Sequence, residues 1–346
     1  MNKNLINRAQ NYRVLATQFY ENGNIPKALA LLKKSINMDH NDAIAYFFLA
    51  NIQEDLGQEA EAVISYERAI EIDPKFGEAY YNIGILEDRK GERDLAIQYY
   101  KQALEVNPDI AGAYYGIAII LDDRGEKEQA LAYYYKTVEK DPEYEHAYFY
   151  IANIYDEWGQ KEKAIAYYQK VIELAPDDYI AYNNYGSILE ESGKYEEALE
   201  VIQQSIKLNP NYYKSHFNKG VILNRLGQKR QAVKCYDKVL ELDPDYLNAY
   251  NNKGVLLLEM NELDKAIDTF SRAIRVSPEY EESYYNRACC YALQGESEKA
   301  MEDLKTSMAL NPDNVAYAQK CKDFDAMRNT QEFQQLIRKQ VDDNLR

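Results

Sequence analysis

Asparagine, carboxylate and aromatic side chains return along this chain at fixed intervals, and each type offers a different kind of non-covalent contact. Asparagines stand at Asn82, Asn184, Asn218, Asn252 and Asn286, with Asn183 and Asn251 beside two of them and Asn51 and Asn153 in a second register. A carboxamide offers both a donor and an acceptor, so a column of them can pair with a backbone of any sequence. Acids recur at Glu54, Asp88, Asp122, Asp156 and Glu190, and aromatic rings at Phe47, Tyr81, Tyr115 and Phe149, each set at intervals of 34 residues. Rings beside carboxylates suit Lys, Arg or apolar side chains, with cation–π contacts available. The plainer reading is a solvated acidic face whose members descend from one ancestral unit. The stretch 213–246 departs from the acidic trend, with Lys214, Lys219, Arg225, Lys229, Arg230, Lys234 and Lys238.

Catalytic groups are not set out in this way. Neither a Gly-rich phosphate loop, nor H-E-x-x-H, nor a nucleophile elbow occurs. The abundant acids fall on exposed helix faces with no apolar pocket to raise a pKa. The expected chain is therefore not an enzyme and carries no catalytic residues, no cofactor and no metal. His146 has no second ligand at helical spacing. Cys235, Cys289, Cys290 and Cys321 form no C-x-x-C pair and read as reduced packing thiols.

Lys plus Arg number 41 against 57 Asp plus Glu, a formal charge of -16. That field disfavours nucleic acid and anionic lipid. The first residues show no apolar core of a secretory signal, and no apolar run reaches the roughly 18 residues a membrane span needs. A cytoplasmic location is the expectation.

What must position these side chains is visible in the punctuation. Prolines fall at Pro74, Pro108, Pro142, Pro176, Pro210, Pro244, Pro278 and Pro312, every gap being 34. Gly57, Gly91, Gly125, Gly159, Gly193, Gly227 and Gly295 keep the same interval, with Asn261 in the one missing place. Alanines repeat from Ala28 to Ala300 in step. Within one unit, 77–110, Tyr80, Ile83, Gly84 and Glu87 have helical spacing; Gly91 closes that helix, Ala96, Tyr100 and Ala103 share a face of a second, and Pro108 ends it. Small residues at Gly84 and Ala96 let the pair approach, and Tyr80 and Tyr100 fill the gaps. Many of the 33 tyrosines share two positions of this unit and are read as packing residues.

The run Tyr80, Ile83, Gly84, Gly91, Ala96, Tyr100, Ala103 and Pro108 resembles the tetratricopeptide repeat (TPR) family. The resemblance extends over units starting at Ala9, Ala43, Gly77, Ala111, Glu145, Tyr179, Tyr213, Leu247 and Glu281. It implies an all-α fold: a right-handed α-solenoid superhelix of nine 34-residue helix-turn-helix repeats, 9–314, after a lead-in at 1–8. Residues 315–346 are expected to be C-terminal capping helices, with Phe324, Met327, Phe333, Leu336 and Ile337 folded onto the last repeat, since an end repeat needs a polar cover. In the family the first helix of each repeat lines a concave groove, at positions that correspond to the asparagines, rings and acids above and to Lys214 and Arg225. The implied function is a protein–protein interaction scaffold binding an extended peptide or protein segment. Basic or apolar contacts are expected toward repeats 2–5, and backbone or acidic contacts toward repeats 6–9. Self-assembly by stacking is the alternative. Some members clamp a carboxylate with Lys, Asn, Asn, Lys and Arg; the matching residues here, Phe149, Asn153, Asn184, Lys214 and Asn218, lack two of the cations. Trp158 falls in a turn and is read as packing locally.

Overall fold

The computed structural model describes residues 3–344, and among them every regular element is helical. The chain divides into two compact units, one running to Leu174 and the other from Ala175. The first unit contains α1 (Lys3–Glu21), α2 (Ile25–Met38), α3 (Ala43–Asp55), α4 (Glu59–Ile72), α5 (Gly77–Arg89), α6 (Arg93–Val106), α7 (Ala111–Asp123), α8 (Lys127–Lys140), α9 (Glu145–Glu157) and α10 (Lys161–Leu174). The second contains α11 (Tyr179–Glu191), α12 (Tyr195–Leu208), α13 (Tyr213–Arg225), α14 (Lys229–Leu242), α15 (Leu247–Glu259), α16 (Leu263–Val276), α17 (Glu281–Leu293), α18 (Ser297–Leu310), α19 (Asn314–Lys320), a 3-10 turn at Lys322–Phe324 and α20 (Gln331–Asn344). Odd and even helices pair in sequence through α18, and within each unit every pair packs on the next. α1 begins at Lys3, within the expected lead-in; residues 1–2 and 345–346 lie outside the described region.

Local chemistry explains the two kinds of turn. The link inside a pair turns on a left-handed residue, glycine with φ between 69° and 85° at eight places and Asn261 with φ 59° at the ninth. Asparagine tolerates that region because its short side chain can bond locally, whereas an ordinary residue loses about 1–2 kcal/mol there. We therefore expect Asn261→Ala to lower stability by about 1–2 kcal/mol, and Asn261→Gly to change it little; urea denaturation of both variants is the check. At most links between pairs an Asp or Asn stands just before the proline, the exceptions being Ala175 and Ser277. Asp73, Asn107 and Asp141 accept from the backbone N–H two residues on, at 3.0, 3.1 and 3.0 Å, and Asn209 and Asp243 do the same in the second unit. The side chain holds the loop while proline prevents the helix from continuing.

Packing inside a pair follows from one size match. Tyr66, Tyr134 and Tyr168 in the first unit, and Tyr236 and Phe270 in the second, are fully buried, each on the second helix of its pair. The facing position on the first helix is small. A Cβ added at Gly84 would lie 2.6 Å from Tyr100, and one at Gly254 would lie 2.4 Å from Phe270. Tyr100 fills the gap as the sequence suggests, but Tyr80 is only half-buried. At the end of the second unit Phe324, Met327, Phe333 and Ile337 are buried against Ala288, Leu304 and Met308. Leu336 is partly buried against the same cluster.

Candidate functional site

In the first unit the rings at Phe47, Tyr81, Tyr115 and Phe149 are half-buried and stand on successive first helices. Each leans on the buried tyrosine of its own pair, with centroids 5.6 Å apart for Phe47–Tyr66, 5.9 Å for Tyr81–Tyr100 and Tyr115–Tyr134, and 5.8 Å for Phe149–Tyr168. Phe47 also meets Phe76 at 4.7 Å and Tyr115 meets Tyr144 at 4.9 Å. One edge of each ring is therefore committed to packing and the remainder stays accessible. The hydroxyl of Tyr81 reaches the next first helix, where a Cβ on Gly112 would lie 2.4 Å from it.

The acids are one helical turn or two away from these rings. Glu54 accepts from the Tyr66 hydroxyl at 3.1 Å and takes Arg89 at 2.9 Å, so its charge is already matched. Asp122 receives Tyr134 at 3.4 Å and has Lys127 at 3.6 Å. Burial pushes the carboxyls of Asp88 and Asp122 above the usual carboxylate range, with Arg93 and Lys127 opposing the shift only in part. Asp156 is half-buried at the corresponding place. In the second unit Glu190 binds Arg225 at 2.9 Å. Arg225, read from the sequence as a contact for an acidic partner, is thus already paired within the chain, while Lys214 is exposed.

The asparagines do something the sequence did not suggest: they join successive repeats. Asn82 donates to the Tyr66 hydroxyl at 3.0 Å, and Asn252 to the Tyr236 hydroxyl at 3.4 Å. Tyr66 in turn donates to Asn51 at 2.6 Å, and Tyr168 bonds Asn153 in the same way. Where the buried residue carries no hydroxyl, a second asparagine replaces it. Ile202 has none, and Asn218 donates instead to Asn183 at 3.0 Å; Phe270 has none, and Asn286 donates to Asn251 at 3.0 Å. Asn183 is only 5% exposed and also takes the Ser215 hydroxyl at 3.2 Å. It is a buried acceptor, not a docking group, which corrects the expectation drawn from its position. Asn251 is half-buried and donates to Glu282 at 3.1 Å. Asn184 is half-buried and accepts from Asn183 at 3.2 Å. Burial drives the phenol of Tyr236 up to about 12, so its hydroxyl keeps its proton.

Single residues resolve simply. Trp158 stands edge-on to Tyr155 at 5.9 Å, a local contact. His146 is exposed and pairs with Glu145 at 2.7 Å. No helix of the described region is long and apolar enough to cross a membrane.

Paired helices in series, with half-buried aromatic, acidic or amide side chains recurring on several of the first helices, define a helical repeat protein. Family models for the tetratricopeptide repeat match residues 43–76, then 77–209, then 213–246, 247–280 and 281–314. The chain belongs to the tetratricopeptide repeat family, whose repeats are a protein-interaction fold rather than a catalytic one. Comparison with curated protein sequences found no match. Among solved structures, PilF of Pseudomonas aeruginosa is 19% identical with a TM-score of 0.51, over 66% of this chain and 97% of that one. The Cut9–Hcn1 hetero-tetramer of the APC/C is 18% identical with a TM-score of 0.50, over 92% of this chain and 59% of that one. YrrB, described as "a TPR protein with an unusual peptide-binding site", is 25% identical with a TM-score of 0.47, over 54% of this chain and 98% of that one. The likenesses to PilF and to Cut9–Hcn1 concern the fold alone, and nothing is drawn from that to YrrB.

Proposed function

We propose that this chain is a non-catalytic scaffold whose first unit holds an extended, basic and apolar segment of a partner protein. The observation that carries the reading is the pairing of half-buried rings with Asp88 and Asp122, carboxylates that burial has left undercompensated. An incoming Lys or Arg would relieve that cost while its alkyl stem covers Tyr81 or Tyr115. In the second unit Asn218, Asn252 and Asn286 each spend one amide N–H between repeats. Their carbonyls and second N–H groups supply contacts to a partner backbone, and Lys214 supplies one to an acid. A preformed surface of this kind leaves most of the ordering cost to the partner. We take the repeat boundaries to be those of the 34-residue interval over 9–314, with 315–346 as the cap. The four free cysteines favour a cytoplasmic setting, and a charge of -16 disfavours nucleic acid.

The test uses a synthetic peptide of alternating Lys and Leu, with a Glu and Leu peptide as control, and fluorescence anisotropy at several salt concentrations. The basic peptide should bind, weaken with salt, and lose at least about tenfold in affinity, ~1.4 kcal/mol, on combined Asp88→Asn and Asp122→Asn. The sign of the pH effect follows from the raised carboxyls. Their ionisation disfavours the folded chain as pH rises through their folded pKa values, and a bound cation compensates for it. Affinity should therefore increase as pH rises through the carboxylate range. Equal binding of the two peptides, or no response to the double substitution, would refute the assignment.

A second reading, association between copies, is favoured by the exposed Leu5, Val14 and Leu15 on α1. Light scattering of the pure chain separates the two: a monomer that shifts only with peptide supports the scaffold.

A further inference from the structure

We propose that Cys289, Cys321 and Asp323 form a binding site for one thiophilic divalent cation of the zinc class. The site lies in the second unit, apart from the residues proposed to contact a partner, where α17 meets the turn that follows α19. Cys289 projects from α17, Cys321 closes α19, and Asp323 belongs to the 3-10 turn. Their two sulfurs and one carboxylate oxygen all lie within 4.8 Å of one another.

The geometry suits a tetrahedral ion. With metal–sulfur bonds of about 2.3 Å and metal–oxygen bonds of about 2.0 Å, the sulfur–oxygen edge of a tetrahedron is about 3.5 Å. Cys321 Sγ and Asp323 Oδ2 stand 3.6 Å apart. Two soft sulfur donors with one hard oxygen donor match zinc and its spectroscopic substitute cobalt, and match calcium or magnesium poorly. The setting adds to this. Cys289 is 3% exposed, within a core that includes Ala288, Phe324 and Phe333, while Cys321 and Asp323 are half-buried. One side of the site is therefore dry and the other open to solvent, leaving the fourth position to water. Arg328 bonds the Cys321 carbonyl and so steadies the turn without occupying the sulfur.

A disulfide between the two cysteines explains less. It would require the sulfurs to close to about 2.05 Å, whereas both thiols are free. It would also leave the convergence of the Asp323 oxygen without a purpose. Filling the site would fasten the turn after α19 to α17, beside the apolar face of the last helix pair that Phe324 and Phe333 cover.

The experiment uses the full chain, reduced, titrated with Co2+ and then Zn2+. We expect one equivalent of cobalt, a thiolate-to-cobalt charge-transfer band, and displacement by zinc. Cys321→Ser should abolish the band and weaken zinc binding by more than the roughly 10–100-fold lost when only an outer-shell partner is removed. Asp323→Asn should weaken binding while keeping the charge-transfer band at saturating cobalt. Both residues are half-buried, so circular dichroism should show the fold retained; Cys289→Ser is a supplementary variant because its site is in the core. Combined Cys235→Ser and Cys290→Ser should leave binding unchanged. A folded chain with no band, or a band that survives Cys321→Ser, would overturn the proposal. So would binding lost in the Cys235 and Cys290 control. A chain that binds no cobalt yet loses two titratable thiols to a mild oxidant would replace the ion with a Cys289–Cys321 disulfide.

Discussion

Arg287→Ala is expected to lower the stability of the second unit by about 3–5 kcal/mol, the usual cost of removing one partner from a buried ion pair. Arg287 holds Asp303 through two parallel bonds, Nε to Oδ2 at 2.7 Å and Nη2 to Oδ1 at 2.8 Å, and gives a third to Ser271 at 2.8 Å. The guanidinium thus ties together α16, α17 and α18, and Asp303 is 5% exposed. Removing it leaves a carboxylate with no counter-charge in a poorly solvated place. The pair itself is weak evidence of net stability, because desolvating both charges offsets much of their attraction. Arg287→Met combined with Asp303→Leu should therefore recover most of the loss.

The readout is urea denaturation of the three proteins together with amide exchange in α16, α17 and α18. In a repeat array each pair is held by its neighbours, so the damage should spread to α19 and α20 more than to α11 and α12. A loss below about 1 kcal/mol in Arg287→Ala would mean that water reaches Asp303 and that the pair behaves like one at the surface.

The series of helices was legible because each repeat is consistent on its own terms: glycine where φ must be positive, proline where a helix must stop, alanine where two helices touch. The agreement of such local signals is what makes a fold readable from sequence. The Asp or Asn before Pro74, Pro108, Pro142, Pro210, Pro244 and Pro312 holds the inter-pair turn, a role that the spacing of the prolines alone does not reveal. The role of the asparagines was less legible, for a physical reason. Whether Asn218 faces a partner or a neighbour depends on contacts 35 residues apart, and on whether the buried residue between them carries a hydroxyl. Helical spacing alone does not carry that information. A column of asparagines on one face suits both a docking surface and a joint between repeats. The acids divide similarly. Glu54 and Glu190 are neutralised by Arg89 and Arg225, cations from the following repeat, whereas Asp88 and Asp122 are not fully compensated.

The joint can be tested by exchanging one form for the other. Asn183→Phe alone should destabilise the second unit by about 2–4 kcal/mol, since it removes the acceptor of both the Asn218 amide N–H and the Ser215 hydroxyl. Ile202→Tyr alone should also be unfavourable, because its hydroxyl would compete with Asn183 for the same amide. Together they recreate the arrangement of Phe47, Tyr66 and Asn82, in which the amide of the following repeat donates to a phenol at 3.0 Å. There is room for the ring, because the facing residue is Gly186, as Gly220 faces Tyr236. The double variant should therefore be more stable than the sum of the single losses by about 1–3 kcal/mol, a coupling within the range for residues in one hydrogen-bond network. Urea denaturation of the wild type, both single variants and the double variant measures it. Strict additivity would show that the two forms of the joint are independent packing choices and that Asn183 is not there to answer the missing hydroxyl of Ile202.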